Sequence, residues 1–337
     1  MSEPTADIRR LACDDDSLRA LLAENPPRLF ASPDWLTVLG EGFRSEVTYY
    51  ALFENDCPVV ALPGIVLDLK LVRMFYAGMP YGGAVGPGER LPELLRGIDT
   101  VLRRDRIDVL RLVRTWFDDF PPPEGFSVRR AVQHVLEIEP AREGARRLPS
   151  SIRRNVKKAE KAGVTVETVE STDEMKRLFE LYRETMQRHH AAVFWPWPFM
   201  ESLCRRLVPA GTAEVLAARR EGEVLAGMIL LHDRDVTYYF LGASKQEALA
   251  MRPNDLLFET VIRRCEDAGR RYFDFMTSSA QDDGLARFKE KWGARRETFG
   301  IYEKTVSLKG RLLWGPVWWL GNSRIGPPIG RAIGLWG

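Results

Sequence analysis

The chain has 337 residues, and 49 Lys and Arg against 47 Asp and Glu give a formal net charge of +2. Hydrophobic residues make up 45% and charged residues 28%. This is an ordinary globular composition, which excludes a disordered or fibrous chain. A net charge so near zero argues against a protein that binds nucleic acid by bulk charge. The length predicts roughly two domains, each large enough to bury a core.

Two helices and several strands are predicted in the first half. Ser32 can cap a helix over Pro33–Phe43, and a second helix is expected over Leu91–Arg104. The Gly- and Pro-rich segment Ala77–Gly88 predicts a loop. There Tyr81 precedes two glycines that would allow close backbone approach and contact with a substrate. Apolar runs rich in β-branched residues predict strands at Val47–Phe53, Val59–Leu67, Leu71–Tyr76, Val109–Val113 and Val128–Ile138.

The second half follows a fuller version of the same plan. Its predicted order is β, α, α, β, β, β, α, β, α, β, which favours a mixed sheet in an α/β fold. The predicted helices are Ile152–Ala162, one capped by Thr172, one after Trp195–Pro198, Pro253–Ala268 and Asp283–Lys291. The predicted strands are Val164–Val169, Ala213–Arg219, Val224–Leu231, Val236–Leu241, Tyr272–Phe275 and Thr298–Thr305.

Cysteine, histidine and hydropathy patterns exclude several classes. The four cysteines form no CxxC pair, which predicts reduced, buried thiols and a cytoplasmic location. His189 and His190 are adjacent but lie in no metal motif, so no metal site is expected. Met1–Arg10 lacks the pattern of a signal peptide, and no run of 18 apolar residues predicts a transmembrane helix.

A family resemblance rests on short motifs in this order. The second half contributes Arg153–Val164, Arg252–Leu257, Gly269–Phe275 and Gly284–Ala294, and the first half contributes Ser32–Trp35 and Tyr81–Gly83. Together they resemble the FemAB-like or BioF2-like acetyltransferase domain of the GNAT acyltransferase superfamily. The resemblance implies two GNAT-like lobes in tandem, the C-terminal one more complete. We therefore expect lobes at 1–140 and 141–305 and a basic, Trp-rich tail at 306–337.

The resemblance also implies a reaction. Such proteins move an acyl group to an amine. Fem transferases take amino acids from aminoacyl-tRNA to extend peptidoglycan precursors, and other relatives are thought to use acyl-CoA. We expect either co-substrate here, no tightly bound cofactor, and an amine of a cell-envelope, polysaccharide or lipid precursor as the acceptor. The alternatives are an acyl-CoA-dependent amide-lipid synthase and a non-catalytic GNAT module that binds an anionic ligand.

The segment Arg142–Lys161 carries eight basic and two acidic residues. Like charges on one helix face repel one another, so a polyanion such as a diphosphate, CoA or tRNA would stabilise them. A solvated face near an interdomain linker is the alternative. The five cations of the helix itself are Arg153, Arg154, Lys157, Lys158 and Lys161.

The turn before Pro253 is a second candidate for holding phosphate. CoA-dependent GNAT enzymes carry a Gly-rich turn here, whose amides at a helix N-terminus bind pyrophosphate. Gly242–Asn254 lacks that pattern, which puts the usual CoA cradle in doubt. Arg252 could still hold a phosphate, and Asn254 is either a helix cap or a ligand contact.

Four residues are candidates for catalysis. Lys289 matches the lysine of a Phe-Lys motif implicated in Fem-type catalysis, where an ammonium would stabilise an oxyanion; a solvated helix lysine is the alternative. The general base could be Asp274, with Ser278 or Ser279 as its partner, or Asp274 could only orient the next loop. His189 at a helix end is a second candidate base. Tyr239 could direct its hydroxyl into the cleft while its neighbour points to the core.

The tail differs from the rest of the chain. From Lys304 to Gly337 it has no acid, five basic residues and four of the nine Trp. This composition suits a membrane interface, while packing on its own domain or a dimer contact is the alternative. Gly315-Pro316 and Gly326-Pro327-Pro328 are expected to break any long helix. The oligomeric state cannot be predicted.

Overall fold

The computed structural model describes residues 6–117, 123–138, 148–189, 191–277 and 283–322. The chain divides into unit 1, which is Met1–Arg130 with Phe299–Gly337, and unit 2, which is Ala131–Thr298. We predicted a boundary after residue 140 and a separate tail from 306. Residues 299–322 instead belong to unit 1, because Ile301–Thr305 pair with Val109–Val113 and carry the following helix with them.

Strands and helices alternate through the first part of the chain. Ser32 accepts a hydrogen bond from the Trp35 amide and so caps the helix that begins at Pro33, as the sequence predicted. The elements are β1 (Asp7–Leu11), α1 (Asp16–Glu24), α2 (Pro33–Phe43), β2 (Glu46–Glu54), β3 (Cys57–Asp68), β4 (Arg73–Gly82), α3 (Leu91–Gly97), α4 (Asp99–Arg104), β5 (Val109–Arg114) and β6 (Ser127–Glu137).

The second part begins with the predicted basic helix. Ser171, rather than Thr172, caps the helix after it by accepting a hydrogen bond from the Glu174 amide. The elements are α5 (Ser150–Lys161), β7 (Thr165–Thr168), α6 (Thr172–Arg188), α7 (Trp197–Arg206), β8 (Ala213–Arg220), β9 (Glu223–Asp233), β10 (Val236–Ser244), α8 (Pro253–Asp267), β11 (Tyr272–Thr277), α9 (Asp283–Lys291), β12 (Arg295–Thr305) and α10 (Leu308–Asn322).

Both units use the same strand plan. In unit 1 the order is β1-β2-β3-β4-β5-β12, and only β4 and β5 are parallel. In unit 2 the order is β6-β11-β10-β9-β8-β7, and only β10 and β11 are parallel. In each unit helices join the two parallel strands, as a parallel connection requires. The predicted tandem α/β fold with mixed sheets is therefore confirmed.

Unit 2 has helices on both faces of its strands. On one face α5 packs against α8. On the other face α6 packs against both α7 and β10. The core on the α5–α8 side joins apolar residues of both helices to the strands and includes Phe258, Phe273 and Trp292. This arrangement leaves the ends of β10 and β11 between two helical layers.

Some elements differ from the predictions. β4 continues to Gly82 because a bulge forms, in which a Cβ on Gly82 would lie 2.4 Å from the Cα of Gly78. The helix predicted over Leu91–Arg104 breaks at Ile98 into two. β1 and α1 were not predicted. Of the cysteines, Cys57 is exposed rather than buried.

The tail also differs from the prediction. α10 runs through Gly315-Pro316, which we expected to end a helix. Pro316 removes one backbone donor, but Trp314 donates from Nε1 to Glu303 Oε2 at 3.2 Å and Val317 is buried. Packing on both sides of the proline therefore holds the helix. The segment 323–337 lies outside the described residues.

Candidate active site

The candidate site lies where the two parallel strands of unit 2 separate. β10 and β11 pair only between Val236–Tyr238 and Tyr272–Asp274, although each continues for three or more residues. A bulge between Tyr239 and Leu241 shifts the register of β10 against β9. In a β-α-β unit the carboxyl ends of both strands and the start of the helix share one edge, where ligands bind. We call this edge the strand-end site.

Lys289 of α9 reaches the end of β11 from inside the protein. Only 2% of it is exposed, so it is not a solvated helix lysine. Its Nζ donates to the carbonyl oxygens of Phe275 at 2.8 Å, Met276 at 3.0 Å and Thr277 at 3.1 Å. Three acceptors match the three N–H bonds of an ammonium group. In this geometry the three N–H bonds of the ammonium hold the strand end.

Asp274 also holds this strand end. It is fully buried, its Oδ1 accepts from the Met276 amide at 2.7 Å, and its Oδ2 accepts from Gln133 Nε2 at 3.3 Å. Met276 has a φ of 60°, which is uncommon for a residue other than glycine. Its peptide groups are thus fixed by Asp274 and Lys289 together. We call Lys289, Asp274 and Gln133 the strand-end clamp. Ser278 and Ser279, which we predicted as partners of Asp274, lie outside the described residues.

A histidine that the sequence analysis missed lies beside the clamp. His134 is 1% exposed, and its Nε2 is 3.8 Å from Glu290 Oε1. Burial lowers its pKa, and the nearby Lys289 ammonium lowers it further, so the imidazole is neutral near pH 7. Gln133 and His134 interrupt the apolar stretch from Ala131 to Leu136 of β6, and this pair of polar residues was the available signal.

The two tyrosines of β10 differ in burial. Tyr238 is 1% exposed and belongs to the core. Tyr239 is half-buried, its ring lies 4.8 Å from that of Phe258, and its hydroxyl lies over the backbone of Gly242 near the end of the strand. Burial raises the pKa of Tyr239 to about 12. At neutral pH this hydroxyl can therefore donate a proton but cannot act as a base.

The end of α6 reaches the strand-end site from the opposite face. Arg188 Nη1 donates to the carbonyl oxygen of Ser244 at 3.1 Å, and the hydroxyl of Thr185 bonds the same residue. Ser244 is the last residue of β10, so the residue that follows Arg188, His189, lies at this edge too. His189 occupies the C-cap of α6 and is exposed. His190 lies outside the described residues.

The start of α8 completes the edge. Arg252, not Asn254, occupies the N-cap, with a φ of 65° and no side-chain capping bond, so Asn254 lies within the first turn. Arg252 is exposed and Asn254 is half-buried. One residue on, Asp255 Oδ1 accepts from Asn155 Nδ2 at 2.9 Å, which ties the middle of α5 to this turn. The basic helix therefore lies beside the positive end of the α8 dipole.

The exposed face of α5 carries the predicted basic cluster. Ile152, Val156 and Ala159 are buried and attach the helix to the core, as the sequence predicted. The cations line an open depression of about 550 Å³. None of them forms an ion pair with a residue that the structure describes. They are Arg153, Arg154, Lys157, Lys158 and Lys161.

Tyr81 does not join this group. It lies in unit 1, where 1% of it is exposed and its ring packs edge-on against Phe30 and Phe299. The segment predicted as a substrate-contacting loop is the end of β4, and its aromatic residue is part of a core. We therefore assign Tyr81 to packing rather than to the site.

Known proteins resemble this chain in sequence or in fold. Residues 145–290 match the model of the acetyltransferase (GNAT) domain family. No curated protein matches the chain in sequence. Among solved structures, FemX has a TM-score of 0.62 at 14% identity, covering 91% of this chain and 99% of that one.

Two further structures share the fold. The C-terminal domain of a putative lysylphosphatidylglycerol synthetase from Agrobacterium fabrum has a TM-score of 0.58 at 13% identity, covering 93% of this chain and 99% of that one. A tandem GNAT protein from the clavulanic acid biosynthesis pathway has a TM-score of 0.54 at 13% identity, covering 89% and 99%. At these identities the likeness concerns the fold, and that fold is the tandem arrangement expected from the sequence.

Proposed function

We propose that the chain is an acyltransferase that transfers an acyl or aminoacyl group to an amine, a proposal supported by the match of residues 145–290 to the acetyltransferase (GNAT) domain family. The amine would attack the carbonyl carbon of an activated ester or thioester. A C–N bond forms, the C–O or C–S bond breaks, and the leaving oxygen or sulfur takes up a proton. The proposed acceptor is a precursor of the cell envelope, a polysaccharide or a lipid.

The donor is proposed to carry phosphate, as acyl-CoA and aminoacyl-tRNA both do. The observation that supports this is the row of five exposed α5 cations beside the first turn of α8, where Arg252 is also exposed. A helix N-terminus attracts anions, and cations that form no ion pair gain most from a polyanion. The donor's reactive end would then lie between β10 and β11.

Each candidate residue has a proposed role at this edge. His189 is the proposed base, because it is exposed beside the end of β10. Tyr239 is the proposed acid for the leaving group, since its phenol stays protonated. Both carboxylate oxygens of Asp274 accept hydrogen bonds from neighbouring groups, so we propose that Asp274, like Lys289, positions the strand rather than taking a proton.

The surroundings of the reaction are part of the proposal. FemX and a lysylphosphatidylglycerol synthetase domain share this fold. A lipid-linked or tRNA-borne substrate would suit the chain's basic helix. We therefore propose a location in the cytoplasm, at the inner face of the cell membrane.

The donor can be identified by consumption assays. Purified protein is incubated with acetyl-CoA, a long-chain acyl-CoA or aminoacyl-tRNA, each with candidate amines, and amide products are detected by mass spectrometry. Turnover of one donor class supports the proposal and names the donor. If no thioester and no aminoacyl-tRNA is consumed by folded protein with any amine tested, the proposed transfer is wrong.

The basic helix can be tested by salt-dependent binding. Replacing Arg153 and Lys157 by Ala should weaken donor binding and reduce the slope of log affinity against log salt by about 1 for each phosphate that the variant no longer neutralises. The matched control replaces Lys176 and Arg177, two exposed neighbours on α6, by Ala. Equal slopes for both double variants would exclude α5 as the phosphate-binding surface.

A further inference from the structure

The helix α10 is fixed to unit 1 along one side. Ser307 caps it by accepting from the Gly310 amide at 2.9 Å. Gly310 lies so close to the backbone of Asp108 that a Cβ on Gly310 would be 2.3 Å from the Asp108 carbonyl oxygen. Further along, Trp314 bonds Glu303 and Val317 is 2% exposed. These contacts set the rotation of the helix and therefore determine which side faces outward.

The outward side is apolar. Leu308 is 72% exposed and Leu312 is 66% exposed, which makes them the most exposed large apolar residues in the described ranges. They are four residues apart and so share one face of the helix. Gly315 and Pro316 are both exposed one turn further on. Two neighbouring leucines held in water by a fixed helix indicate a surface with a partner.

The charges around these leucines have one sign. Lys309 is 54% exposed on its side chain, and its Nζ lies 3.2 Å from Asp108 Oδ2. Arg311 is exposed and forms no ion pair with any described residue. From Lys304 to the end, the sequence contains no Asp or Glu. The partner must therefore offer an apolar layer together with negative charge.

We propose that the Leu308–Leu312 face of α10 docks on the surface of an anionic phospholipid bilayer. Apolar side chains would enter the boundary between headgroups and acyl chains while cations contact the headgroups. None of the described helices is long and apolar enough to cross a membrane. A second copy fits less well, because a symmetric contact would bring the Lys309 and Arg311 pairs of both chains together.

Membrane docking would bring the proposed acyl transfer to a lipid surface, and in that sense it rests on the proposed function. Vesicle binding can be measured without an acyl donor, so the two proposals can fail separately. The full chain is sedimented with vesicles rich in phosphatidylglycerol and with vesicles of phosphatidylcholine alone. Wild-type protein should bind the anionic vesicles, and salt should weaken binding. Replacing Leu308 and Leu312 together by Ser should lower the partition coefficient by about tenfold or more. Arg311→Gln should lower it by about fivefold.

The control is Leu71→Ser, which removes a 41% exposed leucine elsewhere in unit 1. It should partition as the wild type does, and thermal denaturation should show all variants folded. Equal partitioning of the wild type and the double Ser variant would overturn the proposal. A second outcome would also overturn it: the wild type binds no vesicles but forms a concentration-dependent dimer, and the double Ser variant does not form that dimer. The Leu308–Leu312 face would then join two copies of the chain.

Discussion

The strand-end clamp makes a quantitative prediction for Lys289→Met, which removes the ammonium but keeps much of the side-chain volume. Three carbonyl oxygens lose their charged donor. Hydrogen bonds to charged groups contribute about 1.5–3 kcal/mol each, and relief from burying a charge offsets part of that loss. We expect a net destabilisation of about 3 kcal/mol, within the range for breaking a buried charged contact.

This loss can be measured by calorimetry and hydrogen exchange. For a domain the size of unit 2, about 1 kcal/mol lowers Tm by about 2–4 °C, so Lys289→Met should melt about 6–12 °C below the wild type. Amides of Tyr272–Thr277 should exchange faster, because Met276 is no longer held at a φ of 60°. The matched control is Lys291→Met, two residues away and half-buried, which should change neither.

Kinetics then separate positioning from direct catalysis. A positioning residue should raise KM for the donor as well as lower kcat, because the strand end that lines the site shifts. If Lys289→Met kept the wild-type Tm and exchange pattern but lost turnover at unchanged KM, the ammonium would act in the transition state. The clamp reasoning would then be refuted.

Three further predictions concern titrating groups. Burial, and after it the Lys289 ammonium, lower the pKa of His134, so the contribution of His134 to stability is present above about pH 6.5 and is lost as pH falls. The variant His134→Gln should therefore show a flatter dependence of Tm on pH between pH 7 and 5. An unchanged slope of Tm against pH would contradict this. Burial raises the pKa of Glu303, but Arg111 and Arg129 outweigh it and lower the pKa overall. Its stabilisation is therefore lost as pH falls below its unfolded pKa of about 4.5, and chemical denaturation of Glu303→Gln from pH 6 to 3 should show a smaller loss than the wild type. With a pKa of about 12, Tyr239 keeps its proton, so Tyr239→Phe should lower kcat without moving the pH–rate profile below about pH 9; a shifted profile would mean that another group had been perturbed.

Local patterns were sufficient to predict much of the fold. Ser32 before Pro33 located the start of α2, and the buried stripe of Ile152, Val156 and Ala159 identified the side on which α5 attaches. These features depend on neighbours within one or two turns. The end of α10 could not be predicted in the same way, because packing of Trp314 on Glu303 offsets a proline that acts locally against the helix.

The site was harder to predict because its contacts are distant in sequence. Residue type and a motif indicated Lys289 and Asp274 as important, but their shared task follows from carbonyls and amides of β11 that no sequence pattern displays. The bond between Asn155 and Asp255 joins residues a hundred positions apart. Tyr81 shows the opposite error, since an aromatic residue beside glycines resembled a binding loop and lies in a core.

The three-carbonyl contact of Lys289 has a consequence for the proposed acyl transfer. A primary amine near an activated acyl group competes with the intended acceptor, and attack requires a free lone pair on nitrogen. Here all three hydrogens of the ammonium are engaged and the side chain is 2% exposed. The nitrogen therefore has no electron pair to offer. The protein can keep a lysine beside its proposed reaction centre without acylating itself.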